Sequence, residues 1–360
     1  MAQALKEIYN TSFVGLLSQE LVNIYPNFDT NYFKTIIFDN QWQSKELKAR
    51  IRHIAESLHS CLPNKYPKAL VILKPVATKF AGLECMIFPD FVELYGLDDY
   101  QESIIALEHF TKYSSSEFAV RPFILKYGKK MMQQMELWAK SDNYHVRRLA
   151  SEGCRPKLPW AMALSKFQQD PTPILPILEQ LKNDASKYVQ KSVANNLNDI
   201  SKDNPKITIN IAKKWLGNSS ETDWIVKHAA RSLLKQGEPE ILKLFGLLEP
   251  KHITVHDFIV TSKIAIGQTL EFTFTLKTKQ QQLGKLRIEY IIEFVRLNNK
   301  YTKKIFKISE ANYSKPRKDI IKHHSFKLLS TRKYYPGKHS LTIVVNGHKL
   351  KKLDFKLTLN

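Results

Sequence analysis

Cysteine is scarce in this 360-residue chain, which holds only Cys61, Cys85 and Cys154. Three thiols at wide and irregular spacing outline neither a disulfide framework nor a metal-ligand pattern, and they favour a reducing cytoplasm. No apolar run approaches the roughly 18 residues that a membrane span requires. The first residues, MAQALKEIYN, lack a basic start followed by an apolar stretch, so we expect no secretory signal.

The sequence signatures of several enzyme classes are missing as well. There is no Walker loop, glycine-rich dinucleotide fingerprint, HExxH or GxSxG. The 11 histidines show no ligand spacing. We therefore expect no metal ion and no cofactor, and we expect neither nucleotide hydrolysis nor metal-centred catalysis.

Acidic residues are few at the C-terminal end. The net charge is +21, and residues 251–360 hold 23 lysines and arginines against 7 acidic residues. Residues 1–250 hold 32 against 27, so the charge is concentrated on one segment. Such an imbalance indicates a polyanionic partner, either nucleic acid or an anionic membrane surface. A basic surface that serves only solubility is the plainer alternative.

Helical periodicity runs through residues 1–250. From about residue 104, the helices come in pairs, and the pairs repeat around the equivalent residues Val146, Val189 and Val226, which are 43 and 37 residues apart. This period is typical of a HEAT-like α-solenoid, whose second helices line a concave face, although a helical array without true repeats would give a similar pattern. We predict that residues 1–250 form an all-α solenoid. The helix from Val189 to Asp203 should present a polar stripe on another face from its apolar one: Ser192, Asn195, Asn196, Asp199 and Asp203.

After Pro250 the hydrophobic period changes from helical to two. Leu270 to Lys277 alternates apolar and polar residues, and so does the segment that starts at Leu286. Asn346-Gly347 is a strong hairpin-turn signal between two further apolar segments. We predict that residues 251–360 form a strongly basic all-β sandwich of immunoglobulin-like type without its disulfide.

Three strings between Phe110 and Pro205 hold the candidate site residues. They are SSSEFAVRPF with Glu117, SEGCRPKLPW with Trp160, and VANNLNDISKDNP with Asp199. Each residue alone has an ordinary explanation. Glu117 after three serines fits a helix capping box, Trp160 after a proline turn fits a core anchor, and Asp199 fits a solvated helix face.

Taken together, the three strings resemble the bacterial AlkC-type DNA alkylation repair glycosylases, which are related to the AlkD-type HEAT-like-repeat enzymes. The likeness covers roughly residues 40–250. One branch of that family carries a C-terminal immunoglobulin-like domain, and the strand pattern of residues 251–360 is similar to it.

The resemblance implies excision of bases alkylated at a ring nitrogen, such as 3-methyladenine and, as a further candidate, 3-methylcytosine. Such a base is cationic and already a good leaving group, so the barrier lies in the positive charge that develops on the deoxyribose. A fixed carboxylate stabilises that charge and orients the attacking water. By matching motifs, Asp199 takes this role, Glu117 contacts the lesion or shares the role, and Trp160 supplies an aromatic wall.

Carboxylates beside a phosphate backbone need cations to offset them. We therefore expect a group of neighbouring basic and amide side chains to contact double-stranded DNA. These are Arg121, Arg147, Arg148, Arg155, Lys157, Asn196 and Lys202. The basic C-terminal domain would add to this grip. Ordinary ion pairs on a solenoid surface are the alternative for each of them.

The resemblance favours a monofunctional DNA glycosylase of base excision repair, acting as a monomer in the bacterial cytoplasm at the nucleoid. Two other classes of protein stay open on the residues alone. One is a non-catalytic HEAT-repeat scaffold that binds DNA or protein, because most α-solenoids are binding modules. The other is a basic peripheral membrane protein, which would expose apolar loop tips that the strand pattern does not display.

Overall fold

A computed structural model describes residues 4–328 and 332–359. The chain separates into two compact units, of which the first ends at Ala229 and the second begins at Ala230. The change from helix to strand falls later, between Leu244 and Thr254, and residue 250, where the sequence analysis divides the chain, lies inside that segment. Two short helices therefore belong to the same compact unit as the strands.

The first unit is helical. Its α-helices are α1 (Thr11–Ile24), α2 (Thr30–Ile37), α3 (Leu47–Cys61), α4 (Tyr66–Ala77), α5 (Ile87–Tyr95), α6 (Tyr100–Thr111), α7 (Val120–Tyr127), α8 (Lys129–Trp138), α9 (Tyr144–Gly153), α10 (Ser165–Gln169), α11 (Leu175–Leu181), α12 (Lys187–Asp203), α13 (Pro205–Trp215) and α14 (Ser220–Ala229). Within the described residues, no helix is long and apolar enough to cross a membrane.

The predicted helical repeat is present. Val146, Val189 and Val226 are buried at corresponding places on α9, α12 and α14, the second helices of three successive pairs. Helix α12 packs between α9 and α14. Each pair buries an apolar face against its neighbours, which is how stacked repeats build a continuous core.

Most of the polar stripe of α12 is buried, whereas Asn195 is half-buried and Asp203 is exposed. Ser192, Asn196 and Asp199 are at most 2% exposed. The Ser151 hydroxyl on α9 donates to Ser192 Oγ at 2.7 Å, and Asn196 Nδ2 donates to the Ser151 carbonyl at 2.8 Å. Ser192 and Asn196 thus form a polar interface with α9, because buried hydroxyls and amides are retained only where they find partners.

The second unit begins with α15 (Arg231–Gln236) and α16 (Pro239–Leu244) and continues as a β-sandwich. Its strands are β1 (Thr254–Val260), β2 (Lys263–Ala265), β3 (Thr269–Lys277), β4 (Gly284–Val295), β5 (Tyr301–Tyr313), β6 (Arg317–Ser325), β7 (Gly337–Val345) and β8 (His348–Thr358). One sheet has the order β1-β3-β6 and the other β2-β8-β7-β4-β5, and only the β2–β8 pair among the described ladders is parallel.

The core of the sandwich follows the predicted alternation. Leu270, Phe272, Phe274 and Leu276 of β3 are all at most 1% exposed and belong to one apolar cluster with β4 and β7. Asn346 and Gly347 both adopt positive φ, 45° and 79°, which a two-residue type I′ hairpin turn requires. A Cβ on Gly347 would lie 2.7 Å from Leu242 of α16, so this turn needs glycine for close packing as well.

Candidate active site

Glu117 lies just before α7 with its carboxylate buried. Arg148 of α9 holds it: Nη2 donates to Oε1 at 3.2 Å, and Nη1 lies 3.0 Å from Oε2 without hydrogen-bond alignment. Burial raises the pKa of Glu117, and Arg148 opposes that rise. The capping-box explanation fails, because α7 has no side-chain cap and the Ser115 hydroxyl accepts from Arg148. Glu117 thus keeps one carboxylate oxygen without a hydrogen-bond donor among the described atoms.

Asp199 is fixed by two cations. Arg155 Nε donates to Oδ2 at 2.8 Å and Lys202 Nζ donates to Oδ1 at 2.9 Å. The carboxylate is 1% exposed, so it is not a residue of a solvated helix face. Both oxygens of the Asp199 carboxylate are therefore engaged in ion pairs, whereas Oε2 of Glu117 has no aligned donor.

A third carboxylate, Glu152 of α9, connects the two. Its Oε1 accepts from Arg155 Nη1 at 2.6 Å and lies 3.6 Å from Arg148 Nη2. Glu117, Arg148, Glu152, Arg155, Asp199 and Lys202 therefore form one chain of alternating charge, which we call the ion chain. Glu152 is not among the residues predicted from the sequence, although it lies four residues after Arg148, the spacing that places two side chains on one helix face.

Trp160 is on the loop that follows α9, and its side chain is 67% exposed, so it is no core anchor. Its φ is +65°, a left-handed conformation that costs a non-glycine residue about 1–2 kcal/mol. Lys48 Nζ of α3 donates to the Trp160 carbonyl at 2.8 Å. A strained backbone held by a side chain from a distant helix is typical of a functional position.

Arg121 anchors the same loop from inside. Its Nε donates to the Met162 carbonyl at 2.8 Å, and its Nη1 donates to the Gly153 and Arg155 carbonyls, both at 2.9 Å. The side chain is 0% exposed, and burial lowers its pKa to about 10, so it stays charged at neutral pH. The phosphate-contact prediction does not hold for Arg121 in this conformation, because its guanidinium has no path to solvent. Asn196, equally buried at 0%, cannot contact DNA either.

The other predicted DNA contacts are engaged within the protein. Arg148 and Arg155 belong to the ion chain, and their side chains are 14% and 8% exposed. Arg147 pairs with Asp184 at 2.6 Å and donates to two carbonyls of the preceding turn. Lys157, paired with Asp203, and Lys202, paired with Asp199, are 32% and 39% exposed. Of the predicted set, these two lysines are the most accessible.

The geometry therefore brings Glu117 and Asp199 into one network, with the Trp160 loop starting from its member Arg155. Among the described residues, no cluster of histidine, cysteine or acidic side chains could hold a metal ion. The site holds a buried carboxylate of raised pKa and a second, fixed carboxylate in one network, and an exposed indole on the loop that follows Arg155. Fold and site define a helical-repeat protein with an acidic and aromatic site, joined to an immunoglobulin-like sandwich.

Known proteins share this organisation. A family model described as "DNA alkylation repair enzyme" matches residues 99–234, and one described as "Uncharacterised protein YhaZ, C-terminal Ig-like domain" matches residues 254–359. The chain is 46% identical to "Uncharacterized protein YhaZ" of Bacillus subtilis (strain 168), over 98% of this chain and 99% of the relative.

A solved structure is similar over the same length. It is "Pseudomonas fluorescens alkylpurine DNA glycosylase AlkC bound to DNA containing an abasic site analog", 36% identical, with a TM-score of 0.94, covering 99% of this chain and 100% of that one. The chain belongs to the DNA alkylation repair enzyme family, in the AlkC-type branch that carries a C-terminal immunoglobulin-like domain.

Proposed function

We propose that this protein is a monofunctional DNA glycosylase that hydrolyses the N-glycosidic bond of cationic alkylated bases, 3-methyladenine foremost. The observation that carries the proposal is the ion chain, which joins the two carboxylates of separate strings to the base of the Trp160 loop. The likeness over full length to an alkylpurine DNA glycosylase supports the same reaction class. The protein would act on double-stranded DNA as a monomer in the bacterial cytoplasm, without a cofactor.

The reaction needs no acid to protonate the leaving group. As the glycosidic bond breaks, its electron pair leaves with the cationic base, which departs neutral, and positive charge develops on the deoxyribose. Water adds to that carbon and loses a proton. Negative charge fixed nearby lowers the barrier without rearrangement at the moment of reaction.

We assign to Glu117 the role of general base, which accepts the proton of the attacking water. From the sequence, Asp199 was the residue expected to act on that water. Glu117 has the raised pKa and the oxygen without a donor, and a general base works best when its pKa approaches the working pH. Asp199 supplies fixed negative charge. Trp160, exposed on its anchored loop, supplies an aromatic face to the cationic base or sugar, worth roughly 0.5–2 kcal/mol.

Lys202 and Lys157 retain their proposed phosphate contacts through an exchange of partners. Each is partly exposed and paired with a carboxylate of α12, so a phosphate can replace that carboxylate when DNA binds. The exchange at Lys202 would free Oδ1 of Asp199 within the site. Arg148 and Arg155 stay in the ion chain and act on the carboxylates.

The test is base release from methylated DNA under single-turnover conditions, with free 3-methyladenine and abasic sites as products. Wild-type protein should release the base, and Asp199→Asn should lose release by orders of magnitude while binding DNA equally or more tightly, because a negative charge near phosphates is removed. Asp203→Asn is the matched control, since Asp203 is on the same helix and also pairs with a lysine. Absence of release by the wild type would instead favour the non-catalytic scaffold.

A further inference from the structure

The proposed reaction gives no role to Glu152, the counter-ion that two arginines of the site share. It is 5% exposed, and its described partners are Arg148 and Arg155, which lie one on each side of it along the ion chain. Arg148 reaches Glu117 and Arg155 reaches Asp199. A single buried carboxylate therefore joins the supports of both proposed active acids.

We propose that Glu152 is the positioning residue of this site, which aims both arginines at Glu117 and Asp199 and offsets their positive charge. The inference rests on the proposed function. In the free protein, three carboxylates balance three cations in the chain. Without the charge of Glu152, the chain is more positive by one unit, whether Lys202 stays in it or moves to a phosphate, and the reaction beside it itself develops positive charge.

Geometry supports the aiming role. Arg155 divides its guanidinium between Glu152, through Nη1 at 2.6 Å, and Asp199, through Nε at 2.8 Å. Two anchors fix the plane of a guanidinium, whereas one leaves it free to turn. Arg148 is similarly confined by Glu117, by Ser115 Oγ at 2.6 Å and by the Tyr188 ring at 4.7 Å, with Glu152 as its fourth neighbour.

The negative charge of Glu152 acts mainly on Glu117. The charged and titratable groups that face it are Arg148 and Glu152 from α9 and Tyr188 from α12. Glu152 contributes to raising the pKa of Glu117, because a neighbouring negative charge disfavours a second one. Neutralising Glu152 should therefore lower the pKa of Glu117 and weaken it as a base.

The test is Glu152→Gln, which keeps the shape and one acceptor oxygen but removes the charge. Base release should slow by about 10- to 100-fold, because the substitution removes a buried negative charge from a site in which positive charge develops. Binding to undamaged DNA should stay equal or become tighter, since the site gains positive charge. The acidic limb of the rate profile should move to lower pH. Glu152→Asp, which restores the charge, should recover part of the rate.

Glu289→Gln is the matched control. Glu289 is a buried carboxylate in the second unit, and it accepts from Arg287 at 2.6 Å, the same distance as the Arg155–Glu152 bond. Its neutralisation should leave base release unchanged. A loss of DNA binding, release and thermal stability together in Glu152→Gln would mark a merely structural residue and overturn the proposal, as would an unchanged rate.

A titration of the Glu117 carboxyl by NMR separates this inference from the proposed function. Its pKa should fall in Glu152→Gln whether or not the protein releases bases. An unchanged Glu117 pKa would overturn the inference even in an active enzyme. A wild type that releases no base would refute only the glycosylase proposal.

Discussion

Replacing Arg121 by methionine decides between two roles for that side chain. A phosphate contact would be exposed, and its removal would lower DNA affinity and reduce the slope of log affinity against log salt by about one. The structure instead shows Arg121 buried, with hydrogen bonds to the carbonyls of Gly153, Arg155 and Met162. We expect Arg121→Met to destabilise the helical unit and leave the salt slope unchanged.

The expected loss of stability is the difference between two effects: the substitution removes hydrogen bonds, and it also removes a buried charge. A hydrogen bond to a charged group contributes about 1.5–3 kcal/mol, and Arg121 makes three to carbonyls that the variant leaves unpaired. Against this, the variant no longer buries a charge whose Nη2 lacks a partner and which Arg155 repels. We expect a net loss of about 3 kcal/mol in the free energy of unfolding, which lowers Tm by about 6–12 °C in a unit of this size.

Thermal unfolding and salt-dependent DNA binding of the same variant are the assays. Lys157→Met is the control, because Lys157 is partly exposed and should show the reverse pattern, a stable fold with a smaller salt slope. Base release by Arg121→Met should fall, since the Trp160 loop loses its internal anchor. An unchanged Tm together with a slope reduced by one unit would refute the structural assignment of Arg121.

The second unit supports two further predictions. Lys307, Lys315 and Lys318 are exposed, and we expect their exchange for glutamine to weaken the salt dependence of DNA affinity. The slope of log affinity against log salt should fall by about one for each of these lysines that binds a phosphate. An unchanged slope would show that these lysines do not contact DNA. His324 is buried beside Tyr290, and desolvation lowers its pKa to about 4 from an ordinary 6.5. Because the unfolded chain binds the proton more readily, stability should fall as the pH drops from about 6.5 to 4, by up to about 3 kcal/mol. His324→Asn should remove most of this pH dependence of stability, whereas His323→Asn, at an exposed position, should not. Equal curves of stability against pH for His324→Asn and the wild type would contradict the role given to His324.

Much of the fold was predictable because it depends on local periodicity. Val146, Val189 and Val226 marked the second helices of the repeat, and Leu270 to Leu276 marked a strand with one buried face. Each pattern indicates which face of a helix or strand is apolar. Apolar faces are buried largely independently of which apolar residues form them. Asn346-Gly347 was equally informative, since the backbone of a short hairpin turn requires positive φ at both positions.

The electrostatics of the site were beyond such reasoning. In the sequence, nothing distinguishes Arg121, Arg148 and Arg155 from arginines that bind phosphate. In the structure, Arg121 is buried among backbone carbonyls, and Arg148 and Arg155 lie between carboxylates. Whether an arginine faces solvent depends on which helix packs over it, and that packing joins residues 30 to 45 positions apart in the chain. Glu152 could not be predicted for the same reason. Its two partners, Arg148 and Arg155, belong to the site only because they also contact Glu117 and Asp199, which lie on other elements.

The sequence by itself determined the two kinds of architecture and their order along the chain, because both depend on neighbours in sequence. Only the tertiary structure decided which charges are paired, which oxygen of Glu117 lacks a donor, and that Trp160 is exposed on a strained loop. Those properties depend on burial and on distances of a few ångströms between separate helices, and the free energy of a charge changes steeply over that range.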